Sequence, residues 1–291
     1  MRLRACEVPM GGRVVCLSDV HGNLSALDAV LAAAPVETAD RVVVHGDIVS
    51  RGPCSDRVWA RLEDVRDGRW VLSQGNHERY VHQHLDPARV ATGIRARVHQ
   101  PSRFTFDQLG RRVVEALAAL PDGVRIVTPG LPEVQVVHAS MGGDEAGIDP
   151  FTPDEEARLR TRGAGPVMVV GHLHRRLDFK VGPTRVVNAG SVGSSCDGVR
   201  RAGWVELEAR PEGWRAELYR VPYDLERAEA DYRASGFLEG GGPVAALIHR
   251  EWQTATPTVR PWMRSELAAV LAGERSLEAS VEAWLSVSSR R

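Results

Sequence analysis

Arg13-Val14-Val15-Cys16-Leu17-Ser18-Asp19-Val20-His21-Gly22-Asn23 joins a short apolar run to a polar turn that carries an aspartate and a histidine two places apart. The run reads as a buried strand and the turn as its carboxyl-terminal exit. The same pattern returns four times. Arg41-Val42-Val43-Val44 leads into Gly46-Asp47, and Trp70-Val71-Leu72 into Gly75-Asn76-His77-Glu78. Val134-Gln135-Val136-Val137 leads into His138, and Val167-Met168-Val169-Val170 into Gly171-His172-Leu173-His174. All five polar motifs are therefore expected at carboxyl-terminal strand ends, where open α/β sheets gather their ligands. Taken singly, each has an ordinary reading as a helix cap, a turn or a hydrogen-bonded core histidine. Five of them in one order, each at a strand end, point to a shared site.

Between the first motifs, Leu24 to Ala34 reads as a helix entered from Asn23, and Ser55 to Arg66 as a second helix following Pro53. With the flanking strands they make β-α-β-α-β, the sign of a sheet with right-handed crossovers. From Glu78 to Val134 the pattern changes, and residues of about 80–120 read as a helical insertion placed to roof the site. Beyond His174 the chain turns β-rich, with candidate strands at Leu177 to Val181, Arg185 to Asn188, Gly203 to Glu208 and Trp214 to Val221. Helical patterns dominate from Asp224, broken by Gly240-Gly241-Gly242-Pro243, and Trp252, Trp262 and Trp284 mark that stretch as packed. The expected organisation is a catalytic domain over residues 1–223 and a helical extension over 224–291 packed on it, fraying from Ser286 onward.

With 37 basic against 38 acidic residues the formal net charge is -1, which gives no overall pull toward nucleic acid or an anionic membrane. No apolar run approaches the ~20 residues that cross a bilayer, and the start of the chain lacks the apolar stretch of a signal peptide, so a cytoplasmic location is expected. Cys6, Cys16, Cys54 and Cys196 form no Cys-x-x-Cys pair and read as reduced thiols. There is no phosphate-binding Gly-x-x-x-x-Gly-Lys loop and no His-Glu-x-x-His, and His138-Ala139-Ser140 departs from a nucleophile elbow.

The residue types suit hydrolysis of a phosphate ester. That reaction needs a nucleophile better than water and cations to absorb charge on the phosphoryl oxygens, and two metal ions about 3.5–4 Å apart supply both. Carboxylate, amide and imidazole donors without thiolate favour ions such as Mn²⁺, Fe²⁺ or Zn²⁺.

The ordered set Asp19-x-His21, Gly46-Asp47, Gly75-Asn76-His77-Glu78, His138 and Gly171-His172-x-His174 resembles the calcineurin-like metallophosphoesterase superfamily, over about two thirds of the chain. Asn188-Ala189-Gly190-Ser191-Val192-Gly193 is similar to a loop of its small bacterial phosphodiesterase and phosphatase branch. The resemblance implies an α/β fold with a two-sheet β-sandwich flanked by helices, and two divalent ions, Mn²⁺ first, with Fe, Zn, Ni or Mg as alternatives. It implies that Asp19, His21 and His174 hold one ion, that Asp47 bridges, and that Asn76, His138 and His172 hold the other. A hydroxide bridging the two ions would attack phosphorus. His77 would assist the leaving group, oriented by Glu78 or another carboxylate, and Arg51 and Asn23 would contact phosphate. Ser50 replaces the second aspartate of the protein phosphatase pattern, and Ala139 follows His138 where glycine is frequent. The implied substrate is a small phosphomonoester or phosphodiester, with dinucleoside polyphosphates or phosphoproteins as alternatives. A catalytically silent interaction scaffold on the same fold is a second reading, but it predicts a broken ligand set.

Overall fold

Parity along the apolar runs decides which layer each side chain enters, because successive strand residues face opposite ways. A computed structural model describes residues 1–288 and arranges their strands in two sheets. Numbered along the chain, the six-stranded sheet holds β1 (Leu3–Glu7), β5 (Gly123–Val127), β6 (Val134–Val137), β7 (Val167–Val169), β8 (Arg176–Val181) and β9 (Thr184–Ala189), in the order β1-β5-β6-β7-β9-β8. The five-stranded sheet holds β2 (Arg13–Leu17), β3 (Arg41–His45), β4 (Trp70–Ser73), β10 (Ala202–Arg210) and β11 (Gly213–Val221), in the order β11-β10-β2-β3-β4.

Val14, Cys16, Val43 and Val71 point inward and meet Val124, Ile126, Val136 and Val169 of the facing sheet. Their neighbours Val15, Leu17, Val42, Val44 and Leu72 point outward onto α1 (Leu24–Ala33) and α2 (Ser55–Val65), packing on Leu27, Val30, Val58 and Leu62. Burial on both faces explains why these runs are continuously apolar rather than alternating. The six-stranded sheet is covered outside by α6 (Asp154–Arg160), where Ala157 meets Met168 and Val186. The result is the expected sandwich flanked by helices.

β2, β3 and β4 run parallel, as do β6 and β7, so the five motif loops leave from one rim. Two strands escaped the sequence reading. β1 alternates with charged residues and β5 contains Arg125, so neither shows a clean apolar run, yet they pair in parallel from Leu3↔Gly123 to Glu7↔Val127. The inserted segment contains α3 (Asn76–His82), two single 3-10 turns, α4 (Gly93–Val98) and α5 (Gln100–Ala118), which breaks at Gly110 with φ 74. It then returns through β5 rather than running straight to β6.

After β11 come α7 (Leu225–Ala234), α8 (Phe237–Gly240), α9 (Pro243–Thr254), α10 (Val259–Leu271) and α11 (Leu277–Ser288). Tyr232, Phe237, Leu247, Trp252 and Trp262 form their core, joined by Val98 of α4 and Phe104 of α5. Ser286 to Ser288 continue α11, and the rest of the expected frayed end lies outside the described residues. No helix among the described residues is long and apolar enough to cross a membrane.

Candidate metal centre

The motif loops are held in backbone geometry that side chains normally avoid. Asp19, His21, Asp47, Ser50, Arg51, His172 and His174 all have positive φ, and among the described residues the one other non-glycine with this geometry is Ala255. Such strain costs about 1–3 kcal/mol per residue and survives only where surrounding contacts over-determine it. Those contacts are present. Asp19 N–H donates to the Gly46 carbonyl at 3.1 Å, and His21 N–H to the Asp47 carbonyl at 3.0 Å. Gly75 permits the close passage of Asp47, since a Cβ there would collide with Asp47 Oδ1.

Of three groups of donors among the described residues, one being His174, Cys196 and Glu251, the other two meet in the motif loops. Asp19, His21, Asp47 and His174 form one, and Asp47, His138 and His172 the other, with the donor atoms of each within 4.8 Å of one another. Asp47 belongs to both. Asn76 Oδ1 lies 3.0 Å from His138 Nε2 and 3.0 Å from His172 Nδ1, which adds an amide oxygen to the second group. The structure thus brings together Asp19, His21, Asp47, Asn76, His138, His172 and His174.

Backbone carbonyls set the imidazole orientations. His21 Nδ1 donates to the Ser50 carbonyl at 3.2 Å, His138 Nδ1 to that of His45 at 3.3 Å, and His174 Nδ1 to that of Ser194 at 2.6 Å. Anchoring Nδ1–H in this way turns the Nε2 lone pair inward, the usual support for a metal-ligating histidine. His21 Nε2 and His174 Nε2 consequently face each other at 3.0 Å. Converging nitrogen and carboxylate lone pairs, with no thiolate among them, fit divalent cations of the Mn²⁺, Fe²⁺ and Zn²⁺ type.

The charge balance agrees. Burial opposes ionisation of Asp47, but His138 and His77 beside it hold its carboxyl well below the ordinary value. Burial also opposes charge on His138, yet the carboxylates of Asp47 and Asp19 raise it to about 10. Burial, reinforced by His138, pulls His172 down to about 3. Burial holds His21 well below the ordinary value as well, so a proton on His138 answers the two buried carboxylates where no cation does, and the site calls for positive charge.

The remaining expected residues divide. His77 packs edge-on against His21 with ring centroids 5.1 Å apart, its backbone N–H donates to Asp47 Oδ1 at 2.9 Å, and its buried ring Nδ1 has no partner. Arg51 lines the same cleft as His77, but its guanidinium pairs with Glu251 of α9. Asn23 is corrected: its Oδ1 accepts from Ala26 N–H at 3.1 Å and its Nδ2 donates to the Gly193 carbonyl at 2.9 Å, so this amide caps α1.

Glu78 is corrected too. Its carboxylate accepts from the amides of Asp47, Ile48, Val49 and Gly75 at 2.7–3.1 Å, and so supports the Gly46-Asp47 turn rather than orienting His77. Cys54 and Cys196 are buried, and burial pushes the Cys54 thiol up to about 11, away from thiolate reactivity. Sequence reasoning missed Ser18, whose hydroxyl donates to Asp19 Oδ2, and Glu251, which carries no local motif.

Two donor groups sharing one carboxylate, on the strand-end rim of a two-sheet sandwich, make a site able to hold divalent cations. Residues 13–210 match the model of the calcineurin-like phosphoesterase superfamily domain, and the chain belongs to that superfamily. A metallophosphoesterase from Sphaerobacter thermophilus is similar in structure, with TM-score 0.63 and 24% identity over 84% of this chain and 99% of that one. A hypothetical protein from Pyrococcus horikoshii OT3 gives TM-score 0.64 and 20% identity, over 80% and 97% of the two chains. These two likenesses bear on the fold. No curated protein matches by sequence.

Proposed function

We propose that this protein hydrolyses small phosphomonoesters or phosphodiesters at a centre of two divalent ions, Mn²⁺ being the first candidate. The observation that carries the reading is the sharing of Asp47 between two convergent donor groups. When bound, such an ion pair supplies a nucleophilic hydroxide at neutral pH and neutralises charge on the phosphoryl oxygens.

Asp19, His21 and His174 would hold one ion and Asn76, His138 and His172 the other, with Asp47 within reach of both. His77, with its unpartnered Nδ1 beside the cleft, donates a hydrogen bond to the phosphoryl group or to the departing oxygen. Arg51 is held by Glu251 through one terminal nitrogen and keeps other N–H groups for phosphoryl oxygens. Glu78 keeps the Asp47 turn in shape. Residues 224–291 act as an extension of the catalytic domain.

The test is hydrolysis of p-nitrophenyl phosphate and bis-p-nitrophenyl phosphate by metal-stripped protein re-supplied with Mn²⁺, in parallel with Asp47→Asn. Turnover that requires both metal and Asp47 is expected, and preference between the two esters separates monoesterase from diesterase. Equal turnover by Asp47→Asn would sink the assignment.

A further inference from the structure

A cleft of about 390 Å³ opens directly from the metal centre, with Asn76, His77 and His172 on its inner wall. Its outer walls come from elsewhere in the chain. Tyr80 and Val98 belong to the inserted segment, and Val244, Ile248, Val259 and Met263 to α9 and α10. These side chains are mainly apolar, which is unexpected for a site that handles only a phosphate group and water. The volume lies within the ~300–1,000 Å³ range of small-molecule pockets and exceeds what a phosphoryl group fills.

The charged residues of this cleft are nearly all matched. Arg51 pairs with Glu251, and Glu145 is engaged by Arg79 and by the Tyr80 hydroxyl. Arg260 is the exception. It stands on the rim in the first turn of α10 and, among the described residues, makes no hydrogen bond or ion pair. Partial burial and the like charges of Arg264 and Arg160 pull its pKa down from the ordinary arginine value, outweighing the carboxylate of Asp149, which forms no ion pair with it. A guanidinium in that position is stabilised by an incoming anion, which it can hold through two parallel N–H donors.

We propose that α9 and α10 form the specificity half of the active site. The apolar cleft receives a ring-sized organic group of the phosphoester, and Arg260 binds a second anionic group carried on it. The inference rests on the phosphoesterase reading for the position of the scissile phosphate, and adds the class of ester: an apolar ring bearing a second negative charge. Arg260 and Met263 are then specificity residues supplied by the extension.

The test measures binding of uncleavable phosphonates to the full-length protein supplied with Mn²⁺, by titration calorimetry, so that leaving-group reactivity does not enter. Methylphosphonate, phenylphosphonate and p-phenylenebisphosphonate form the series. Phenylphosphonate is expected to bind about tenfold more tightly than methylphosphonate, from burial of the ring. The bisphosphonate should gain about tenfold again from Arg260.

Arg260→Ala should abolish the second gain and retain the first. Met263→Glu alters a residue that is 40% exposed, so the fold should be retained, and it should reduce the first gain by placing a carboxylate against the ring. Equal affinity for all three phosphonates overturns the proposal, even if p-nitrophenyl phosphate is hydrolysed. A second gain that persists in Arg260→Ala overturns the role of Arg260. Graded binding without metal-stimulated hydrolysis of any ester would support the cleft while removing the phosphoesterase reading.

Discussion

Arg51 and Glu251, 200 positions apart in sequence, form a largely buried ion pair beside the metal centre, the glutamate being the deeper partner. The glutamate is fixed from its own side as well, its Oε2 accepting from the amides of Thr258 at 2.7 Å and Val259 at 3.1 Å. The Tyr232 hydroxyl donates to the Arg51 carbonyl at 3.3 Å, so the extension grips both the backbone and the side chain of this loop. The tertiary role of the carboxyl-terminal helices is therefore coupled to the geometry of the site.

Removing one member of a buried pair strands the other charge, a loss of about 3–5 kcal/mol. Glu251→Gln is expected to lower stability by about 3 kcal/mol in urea unfolding of metal-free protein, and to slow phosphoester turnover by freeing Arg51. The double variant Arg51→Met with Glu251→Gln, which keeps an acceptor for the Thr258 and Val259 amides, should regain much of the stability but not the turnover. A single-variant loss below about 1 kcal/mol would show that the pair is of the weak, surface type.

His77 and Glu78 are adjacent in sequence and differ in task. His77→Ala should bind metal like the parent while kcat falls about a hundredfold or more, as expected for loss of a proton or hydrogen-bond donor. Glu78→Ala should instead lower stability by about 3 kcal/mol or more and weaken metal binding, because four buried amides lose their acceptor. Metal titration together with kinetics separates the two effects. A stable, metal-competent but slow Glu78→Ala would restore an orienting role for that carboxylate.

What was legible in the sequence follows from how local each signal is. The five motifs each pair a buried strand with its exit turn, so β2, β3, β4, β6 and β7 and the side chains that converge at their rim could be read from a few neighbouring residues. β1 and β5 have half-polar patterns and are held by distant pairing, β1 on β5 and β5 on β6, which no short window reveals. The same holds for Glu251 and Arg260. Nothing around either residue marks a functional role, and only the packing of α9 and α10 against the inserted segment brings them to the cleft. Asn23 and Glu78 illustrate the opposite difficulty: their motif context was clear, but their side chains serve the backbone.

Glu229 of α7 gives the extension an acid-sensitive tie. His249 Nε2 lies 2.9 Å from Glu229 Oε2 and Arg233 Nε 3.0 Å from Glu229 Oε1. Burial alone would raise the Glu229 pKa, but the bonds from His249 and Arg233 outweigh it and the net shift is downward. A depressed folded-state value means that the stabilisation is complete above the unfolded glutamate pKa, about 4.3, and is lost as pH falls through the folded value. Stability measured by urea unfolding from pH 6 down to pH 3 should therefore fall less steeply in Glu229→Gln than in the parent. Parallel curves would rule out this contribution.

Metal loading tests the shared carboxylate most directly. Ions that bind only the folded state raise its stability by about 2.7 kcal/mol at a free concentration one hundred times Kd, so Mn²⁺ should shift the thermal midpoint of the metal-stripped parent upward. Asp47 faces both donor groups, whereas His138 and His172 serve one and His21 and His174 the other. His138→Ala is thus expected to retain one ion per chain and part of the thermal shift, and His174→Ala likewise. Asp47→Asn should weaken both ions and lose most of the shift, since the amide supplies one neutral oxygen where a carboxylate offered two charged ones. Metal analysis after gel filtration counts the ions, and scanning calorimetry reads the shift. Two ions retained by Asp47→Asn, with an undiminished shift, would mean that the two groups bind independently and that Asp47 does not bridge them.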